Sequence, residues 1–576
     1  MKRFFLLGFL LSLVSNAHAS PQATHIGGMV RNPADSVLKI ADEVITLGEE
    51  GRFVHHVILV KPSYIPFELN GKISFFISPG DSLSVTLDAT HFYESMAIHG
   101  RGAEVNRFLL AETHKALELN TYVDQNFKRI ASQDEAGFTA FVDSVADSFH
   151  ERIEDFLASH DDLPEEFAWS QNAILKYSTT KGRLDYIALH RHATGEADFW
   201  PSQDYFAFLT NLDFNDSRLW ELEEYRAFLA RYVEVKAEER LKTSHDFDNK
   251  NYKEFRAKLD VIISSFTDPN IRDEMAYPIM KELLSECYIK GLDDLLSDFR
   301  GQCSNPQYLQ HIDKIVAYDM DIQTKCEIQV FKTVDGVTLD AFVYKPDGFA
   351  PGDARPAVAF FHGGGWYLGK PEWGDWQCSH FASLGLVAIS FEYRLKGQHD
   401  VTPVECITDA RSALRWMRQN AYELGLDPDR IVASGFSAGG HIALCTTMLD
   451  RFDEPGEDLT VSPAANAFLL WVTPAKIFSD GWFKELLRDK ATVADCDPAQ
   501  HIRPDLPPCI MFQGTEDNDV PVWSIKEFAK EMKQVGNRCD LFIYEGQTHL
   551  GWGDNGDDVL AKMDQFLVSL GYLGSE

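Results

Sequence analysis

Ser437 lies in the stretch Gly435-Phe436-Ser437-Ala438-Gly439-Gly440, directly after the run Arg430-Ile431-Val432-Ala433-Ser434. A serine hydroxyl is a poor nucleophile at neutral pH, so a catalytic role demands a base, a carboxylate to orient that base, and donors for an oxyanion. The pattern Gly-x-Ser-x-Gly also occurs in ordinary turns, and context decides between the two. Ile431 to Ala433 read as a short buried strand and Ala438 to Met448 as a helix, which puts Ser437 on a sharp strand-to-helix corner. Gly435 and Gly439 lack the Cβ atoms that would collide as strand and helix close on that corner. The amide of Ala438, first in the helix, points at whatever Ser437 attacks and supplies one oxyanion donor.

Each remaining part has a candidate. His362-Gly363-Gly364-Gly365-Trp366 follows the strand-like run Ala357 to Phe361. Its three glycines let the backbone approach a substrate closely and turn N–H groups inward, as the second half of an oxyanion hole requires. Cys509 to Val522 reads as a strand and a loop holding Glu516, Asp517 and Asp519, three acids at the carboxyl end of a strand. His549 follows the last strand-like run, Leu541 to Gly546, so nucleophile, acid and base occur in the chain order Ser, Asp or Glu, His.

These residues need a scaffold that delivers four loops to one edge. From Glu327 onward, apolar strands alternate with helical stretches, the signature of a doubly wound, mostly parallel α/β sheet. The strands are apolar throughout, as strands covered on both faces are. Glu327 to Pro346 reads as an antiparallel hairpin that turns at Asp335-Gly336 and opens the sheet. Upstream the pattern differs. Thr24 to Ile98 holds short β-rich runs broken by turn signals such as Pro79-Gly80-Asp81. Glu104 to Ala317 has helical period, with Ser132 and Glu135 at capping-box spacing ahead of Phe138, Phe141, Val142 and Val145. The expected organisation is a signal peptide over 1–19, a sandwich-like β-domain over 20–103, a helical domain over 104–317 and an α/β catalytic domain over 318–576. Every group the chemistry needs lies in the last of these, and the leader is expected to supply none.

Residues 1–19 carry Lys2 and Arg3, an apolar run from Phe4 to Val14, and Ala17-His18-Ala19, the three parts of a cleavable secretory signal. A membrane span needs roughly 20 apolar residues, more than this run provides. Cleavage after Ala19 would leave a periplasmic or secreted protein with no membrane insertion. A formal charge of −34 argues against polyanionic partners such as nucleic acid. Nine cysteines, none before Cys287, make no dense disulfide framework, and the odd number leaves at least one unpaired within the chain. Neither Cys-x-x-Cys nor His-Glu-x-x-His is present, and no metal or cofactor is expected.

As a set, FFHGGGWYLG, EYRL, DARSALRWMRQNA, DPDRIVASGFSAGGHIAL, PPCIMFQGTEDNDVPV and GQTHLGWG resemble the HGGG-bearing, hormone-sensitive-lipase-like carboxylesterases over roughly Lys325 to Leu573. The bacterial acetyl-xylan and feruloyl esterase branch is the most similar. The resemblance implies an α/β-hydrolase fold and an acyl-enzyme mechanism with nucleophile Ser437 and base His549. It places the acid on Asp517, which follows Gly514-Thr515-Glu516 and has two residues between it and Val520-Pro521. Oxyanion donors fall on the amides of Gly364, Gly365 and Ala438. Two positions depart from the family pattern: Gln513, where a histidine commonly precedes Gly-Thr, and Leu550, where a glycine commonly follows the base. The substrates implied are short acyl esters, acetyl or feruloyl, on a carbohydrate. Trp366 and Tyr367, with Trp373 and Trp376 just beyond, are candidates to line the pocket. GRFVHHVILVKPSYIPFEL and FFISPGDSLSVTLD are similar to the non-catalytic N-terminal region of Bacteroidota envelope proteins that carry a thioredoxin-like domain. No thioredoxin motif follows here, so no function carries over.

Other readings compete. A prolyl-oligopeptidase-like serine peptidase shares the fold and the triad order, but carries a β-propeller in front and lacks HGGG. An amidase similar to kynurenine formamidases shares HGGxW, a chemistry with little use outside the cell. A hydrolase fold kept only as a binding module commonly loses a triad member, and none is lost here.

Overall fold

The computed structural model describes residues 22–574 apart from 34–36, 42, 248–250 and 478–480, so the signal peptide expected over 1–19 and its expected cleavage point lie outside the described residues. The chain divides into two compact units, Met1–Val235 and Lys236–Glu576.

In the first unit, β1 (Gln22–Arg31), β2 (Val37–Ile40), β3 (Glu43–Thr46), β4 (Arg52–Leu59), β5 (Ser63–Glu68), β6 (Lys72–Ile77), β7 (Ser82–Asp88) and β8 (Ala97–Arg101) make two four-stranded sheets. Their orders are β4-β1-β7-β8 and β3-β2-β5-β6. Alternation decides which face is buried: in β7, Leu83, Val85 and Leu87 point into the core while Ser84 is exposed. Phe53, Phe67 and Phe75 meet them there. Three long helices follow, Ala103–Gln125, Glu135–Ala158 and Glu165–Thr194. The cap of the second is Asp134, not Ser132: its carboxylate accepts from Gly137 N at 2.8 Å. A charged cap gains from the helix dipole as well as the amide, and the Glu135 side chain is taken by Ser202, whose N and Oγ both donate to it at 2.6 Å.

The second unit is built on β9 (Glu327–Val334), β10 (Val337–Tyr344), β11 (Arg355–Phe361), β12 (Val387–Phe391), β13 (Leu426–Phe436), β14 (Ala467–Trp471), β15 (Cys509–Gly514) and β16 (Cys539–Tyr544). They form one sheet in the order β16-β15-β14-β13-β11-β12-β10-β9. β11 to β16 pair in parallel, and the β9–β10 hairpin joins β12 antiparallel at one edge. The hairpin turns where expected, with Asp335 at φ 50° and Gly336 at φ 79°, the handedness a two-residue turn needs. Helices cover both faces, and every residue of β12 and β14 is buried. All nine cysteines are free thiols, eight of them buried. Among the described residues, no helix is long and apolar enough to cross a membrane.

The boundary expected at 317/318 is displaced. Helices Lys253–Ser265, Pro269–Glu286, Asp293–Gln302 and Pro306–Thr324 belong to the second unit. Buried polar contacts, which helical periodicity does not reveal, tie them to the sheet and its loops. Lys370 Nζ reaches both Asp319 oxygens at 2.9 and 2.7 Å and Leu284 O at 2.8 Å, with both side chains buried. Tyr288 Oη and Lys290 Nζ donate to Asp340 on β10 at 3.1 and 2.9 Å, and Gly369 N donates to Glu286 O at 2.8 Å.

Candidate active site

Ser437 stands between the end of β13 and the helix Ala438–Met448, at φ 53° and ψ −122°. A non-glycine residue holds such a conformation only where its surroundings over-determine it, at a cost of about 1–3 kcal/mol. Here β13 is flanked by β11 and β14, and Ser437 N donates to Trp471 O at 2.9 Å. The two glycines are obligatory: a Cβ on Gly435 would sit 2.3 Å from the Gly439 carbonyl carbon, and one on Gly439 2.0 Å from Phe361 O.

The loops after β15 and β16 bring acid and base to this corner. His549 Nε2 lies 2.9 Å from Ser437 Oγ, and His549 Nδ1 lies 2.9 Å from Asp517 Oδ2. Since the carboxylate only accepts, Nδ1 carries the proton and Nε2 is free to take one. Of the three acids in the loop only Asp517 is buried, while Glu516 and Asp519 are exposed. Burial opposes ionisation of Asp517. Donors from His549, from Val520 N at 2.8 Å and from Gln513 Nε2 at 2.8 Å outweigh it and hold the carboxyl below its ordinary value. Asp519 has a carboxylate oxygen within 4.8 Å of donor atoms of Asp517 and His549, but their hydrogen bonds to Ser437, Gln513 and each other already occupy those atoms. Gly514 lets the two loops meet, because a Cβ there would lie 1.9 Å from Gln547 O. Trp552 Nε1 donates to His549 O at 3.1 Å and pins the second loop.

The oxyanion loop leaves the end of β11, which lies between β12 and β13, so it emerges beside the corner. Gly364 at φ 105° and Gly365 at φ 61° turn it, and a Cβ on Gly364 would sit 2.0 Å from Leu368 O. Gly364 O accepts from Tyr367 N and Leu368 N at 3.0 and 3.1 Å. Among the described residues, the N–H groups of Gly364, Gly365 and Ala438 have no protein acceptor, as an oxyanion site requires. His362 is buried beneath, its ring 4.3 Å from that of Tyr393, whose hydroxyl donates to His362 O at 2.7 Å. Burial pushes the His362 imidazole down to about 4, so it is neutral and donates from Nδ1 to Gly363 O at 2.8 Å.

Trp366, a pocket candidate in the sequence, packs into the core. It is buried, its indole N–H donates to His441 Nδ1 at 3.2 Å and its ring packs 4.6 Å from Phe483. His441 in turn donates from Nε2 to Cys496 O at 2.8 Å, and burial pushes it down to about 4. Trp366 therefore anchors the oxyanion loop to the helix that starts at the nucleophile. Tyr367 is half-buried, with its hydroxyl donating to Glu254 at 2.5 Å. The exposed aromatic at the loop is Trp482, at 49%, whose indole nitrogen lies 3.9 Å from where a Gly365 Cβ would be. No motif marks it, and more than 100 residues of chain separate it from the loop. Trp376 is also exposed, stacked at 4.8 Å on Trp471, whose carbonyl receives Ser437 N. Trp373 meets the edge of His362 at 6.1 Å.

A protein-family model described as BD-FAE matches residues 343–532. A probable isoprenylcysteine alpha-carbonyl methylesterase of Arabidopsis thaliana is 29% identical over 217 residues, 34% of this chain and 45% of that protein. Carboxylesterase NlhH of Mycobacterium tuberculosis is 39% identical over 119 residues, 20% of this chain and 36% of that protein. Over these residues the second unit is similar to α/β-hydrolase carboxylesterases. The chain spans about half the length of the plant methylesterases it matches. A solved structure of Thermogutta terrifontis esterase 2 phosphoramylated by tabun is 43% identical, covers 44% of this chain and 98% of that one, and has a TM-score of 0.43.

Two features of the esterase unit gain a role only from its geometry. Gln513 is fully buried and donates to both Asp517 and Val520 O, at 2.8 and 2.9 Å, so the residue that departs from the family pattern is a support of the acid. The EYRL stretch fastens the oxyanion side. Glu392 accepts from Asp340 N at 2.8 Å, Tyr393 holds His362, and Arg394 forks onto buried Asp409 at 2.9 and 2.8 Å.

Proposed function

We propose that this protein is an exported serine carboxylesterase that removes short acyl groups, acetyl or feruloyl, from a carbohydrate. The observation that carries the ester chemistry is the line Asp517, His549, Ser437, with 2.9 Å on either side of the imidazole, ending on a strained corner beside free backbone donors. His549 Nε2 takes the Ser437 proton as Oγ attacks the ester carbonyl, and Asp517 steadies the resulting imidazolium. The amides of Gly364, Gly365 and Ala438 bind the oxyanion. Collapse expels the alcohol, which leaves with the proton held by His549. Water, deprotonated by the same nitrogen, then attacks the acyl carbonyl and frees Ser437.

Support for the finer reading is of three kinds. The BD-FAE match and the resemblance to acetyl-xylan and feruloyl esterases favour acylated glycans. Exposed Trp482 and Trp376 offer flat faces of the kind on which a sugar or a feruloyl ring stacks. Residues 1–19 have the make-up of an export signal. The plant relatives favour a second reading, a methyl ester of a bulky acid. The two four-stranded sheets ahead of the esterase unit are not propeller blades, which speaks against a prolyl-oligopeptidase-like peptidase.

The test is a panel of p-nitrophenyl acetate, butyrate and decanoate, methyl ferulate, an isoprenylcysteine methyl ester and acetylated xylan. Acetyl esters are expected to be turned over fastest, and Ser437→Ala to turn over none. A preference for decanoate or for the isoprenylcysteine ester would overturn the substrate assignment, and full activity in Ser437→Ala would overturn the site.

A further inference from the structure

The first unit contains a cavity of about 770 Å³ between its β5–β6 sheet and its three long helices. That volume is within the ~300–1,000 Å³ typical of small-molecule sites. One wall is the stripe Phe141, Val145, Phe149 and Ile153, at i, i+4, i+8 and i+12 of helix Glu135–Ala158, about 18 Å long at 1.5 Å per residue. Ile174 and Leu175 face it from the helix Glu165–Thr194. Phe141, Val145 and Phe149 are only half-buried, because the space in front of them is unfilled by protein. Apolar side chains left in contact with water forgo the stabilisation that burial gives. An elongated apolar group would supply it.

The polar lining has a sign. Glu112, Glu221, Glu223 and Glu224 reach the cavity, against Lys72 and Arg226. Most of these charges are spoken for: Glu112 pairs with Arg152 at 2.6 Å, Glu221 with Lys61 at 2.6 Å, and Glu223 with Lys72 at 3.3 Å. Glu224 has no ion-pair partner within 4.0 Å among the described residues, and burial pushes its carboxyl above the ordinary value. A cation arriving beside it would relieve that cost.

We propose that this cavity binds an amphiphile with a single long apolar chain and a cationic head, the chain along the Phe141–Ile153 stripe and the head at Glu224. The site lies wholly within the first unit and stands independently of the ester chemistry. An anionic headgroup at the same place would meet Glu224, the one lining carboxylate without an ion pair among the described residues, while Lys72 is taken by Glu223 and Arg226 donates to Trp220 O, so its binding is disfavoured.

The test is calorimetric titration of the full chain with octylamine, decylamine and dodecylamine below their micelle concentrations, beside decanol and decanoate. One-to-one binding is expected, tightening about fourfold per added methylene, as apolar burial dictates, in the order decylamine, decanol, decanoate. Gly182 lines the cavity from a helix, with nothing within 4 Å of the Cβ it lacks, so Gly182→Leu fills the space without strain. That variant should weaken every ligand at least tenfold, with its helical circular dichroism retained. Glu224→Gln should bring decylamine down to the affinity of decanol and leave decanol unchanged. The proposal fails if no amine binds saturably, if decanoate matches decylamine, or if a folded Gly182→Leu or Glu224→Gln protein binds the amines like the native chain.

Discussion

The two units fill their interiors to different degrees. The esterase unit packs helices against both faces of its sheet and buries charges in pairs, Lys370 with Asp319 and Arg394 and Lys332 with Asp409, and the cavity among its helices Lys253–Ser265, Pro269–Glu286 and Asp293–Gln302 is only about 230 Å³. The first unit closes its small β core but leaves about 770 Å³ open among its helices, and its fully buried Asn106 bonds only backbone, Phe76 at 2.8 and 2.9 Å and Gly102 O at 2.7 Å. The strain differs too. In the esterase unit a left-handed serine sits at the centre of the sheet. In the first unit the non-glycine residues at positive φ, Asn32, Ala41 and Glu50 among the described residues, lie in turns between strands, away from the cavity. A strained nucleophile needs surroundings that cannot relax, whereas a unit with no such residue can tolerate empty space.

That contrast can be broken or sharpened by measurement. The largest effect belongs to Ser437→Ala, which should lower kcat on a small ester by about 10⁶-fold while thermal unfolding of both units stays within a degree or two of the native protein. Next, Asp517→Asn should cost about 10⁴-fold in kcat by leaving His549 in the wrong tautomer. Glu516→Gln and Asp519→Asn, altering exposed acids, should cost under tenfold. Steady-state kinetics of the three variants would show whether one acid alone carries the role.

Breaking a packed charge pair tests the filled interior itself. Lys370→Met leaves Asp319 buried without its partner and should destabilise the esterase unit by about 3–5 kcal/mol, read from denaturant unfolding, with the first unit unaffected. Acid acts in the same direction. His362 and His441, both in the esterase unit, titrate near 4 when folded because burial disfavours the imidazolium, and near 6.5 when unfolded. Unfolding takes up protons between those values, so stability is full above pH 6.5 and falls as pH drops toward 4, by roughly 3 kcal/mol per histidine. Denaturation midpoints that do not move between pH 7 and 4.5 would contradict the burial of both rings.

The smallest effect comes from removing the first unit. A fragment starting at Lys236 should keep kcat on p-nitrophenyl acetate within about tenfold of the full chain, since the triad and its donors are preorganised inside the second unit. A fragment starting at Asp319 should fail to fold, because it lacks the Pro269–Glu286 helix that receives Lys370 and Gly369. A folded, active Asp319 fragment would show that those helices are dispensable.

Much of the esterase unit is legible in the chain. Parallel strands buried on both faces read as continuous apolar runs, and glycines at 435, 439 and 364 are visible because the backbone approaches there leave no room for a Cβ. Ser437, His549 and the loop of three acids follow from strand ends and order, since a doubly wound sheet brings the carboxyl ends of its strands to one edge, whereas the choice of Asp517 over Glu516 and Asp519 rests on the family resemblance. What only the tertiary structure decided concerns partners far apart in sequence. The pairing of Lys370 with Asp319 moved four helices into the esterase unit, the bond from Trp366 to His441 turned a pocket candidate into an anchor, and Trp482 came to the oxyanion loop unannounced. The cavity is of the same kind. Helical periodicity shows that Phe141, Val145 and Phe149 share a face, but whether protein fills the space opposite depends on how three helices and a sheet close around it. Local patterns follow from each residue's own geometry; a contact between distant segments exists only once the chain has packed.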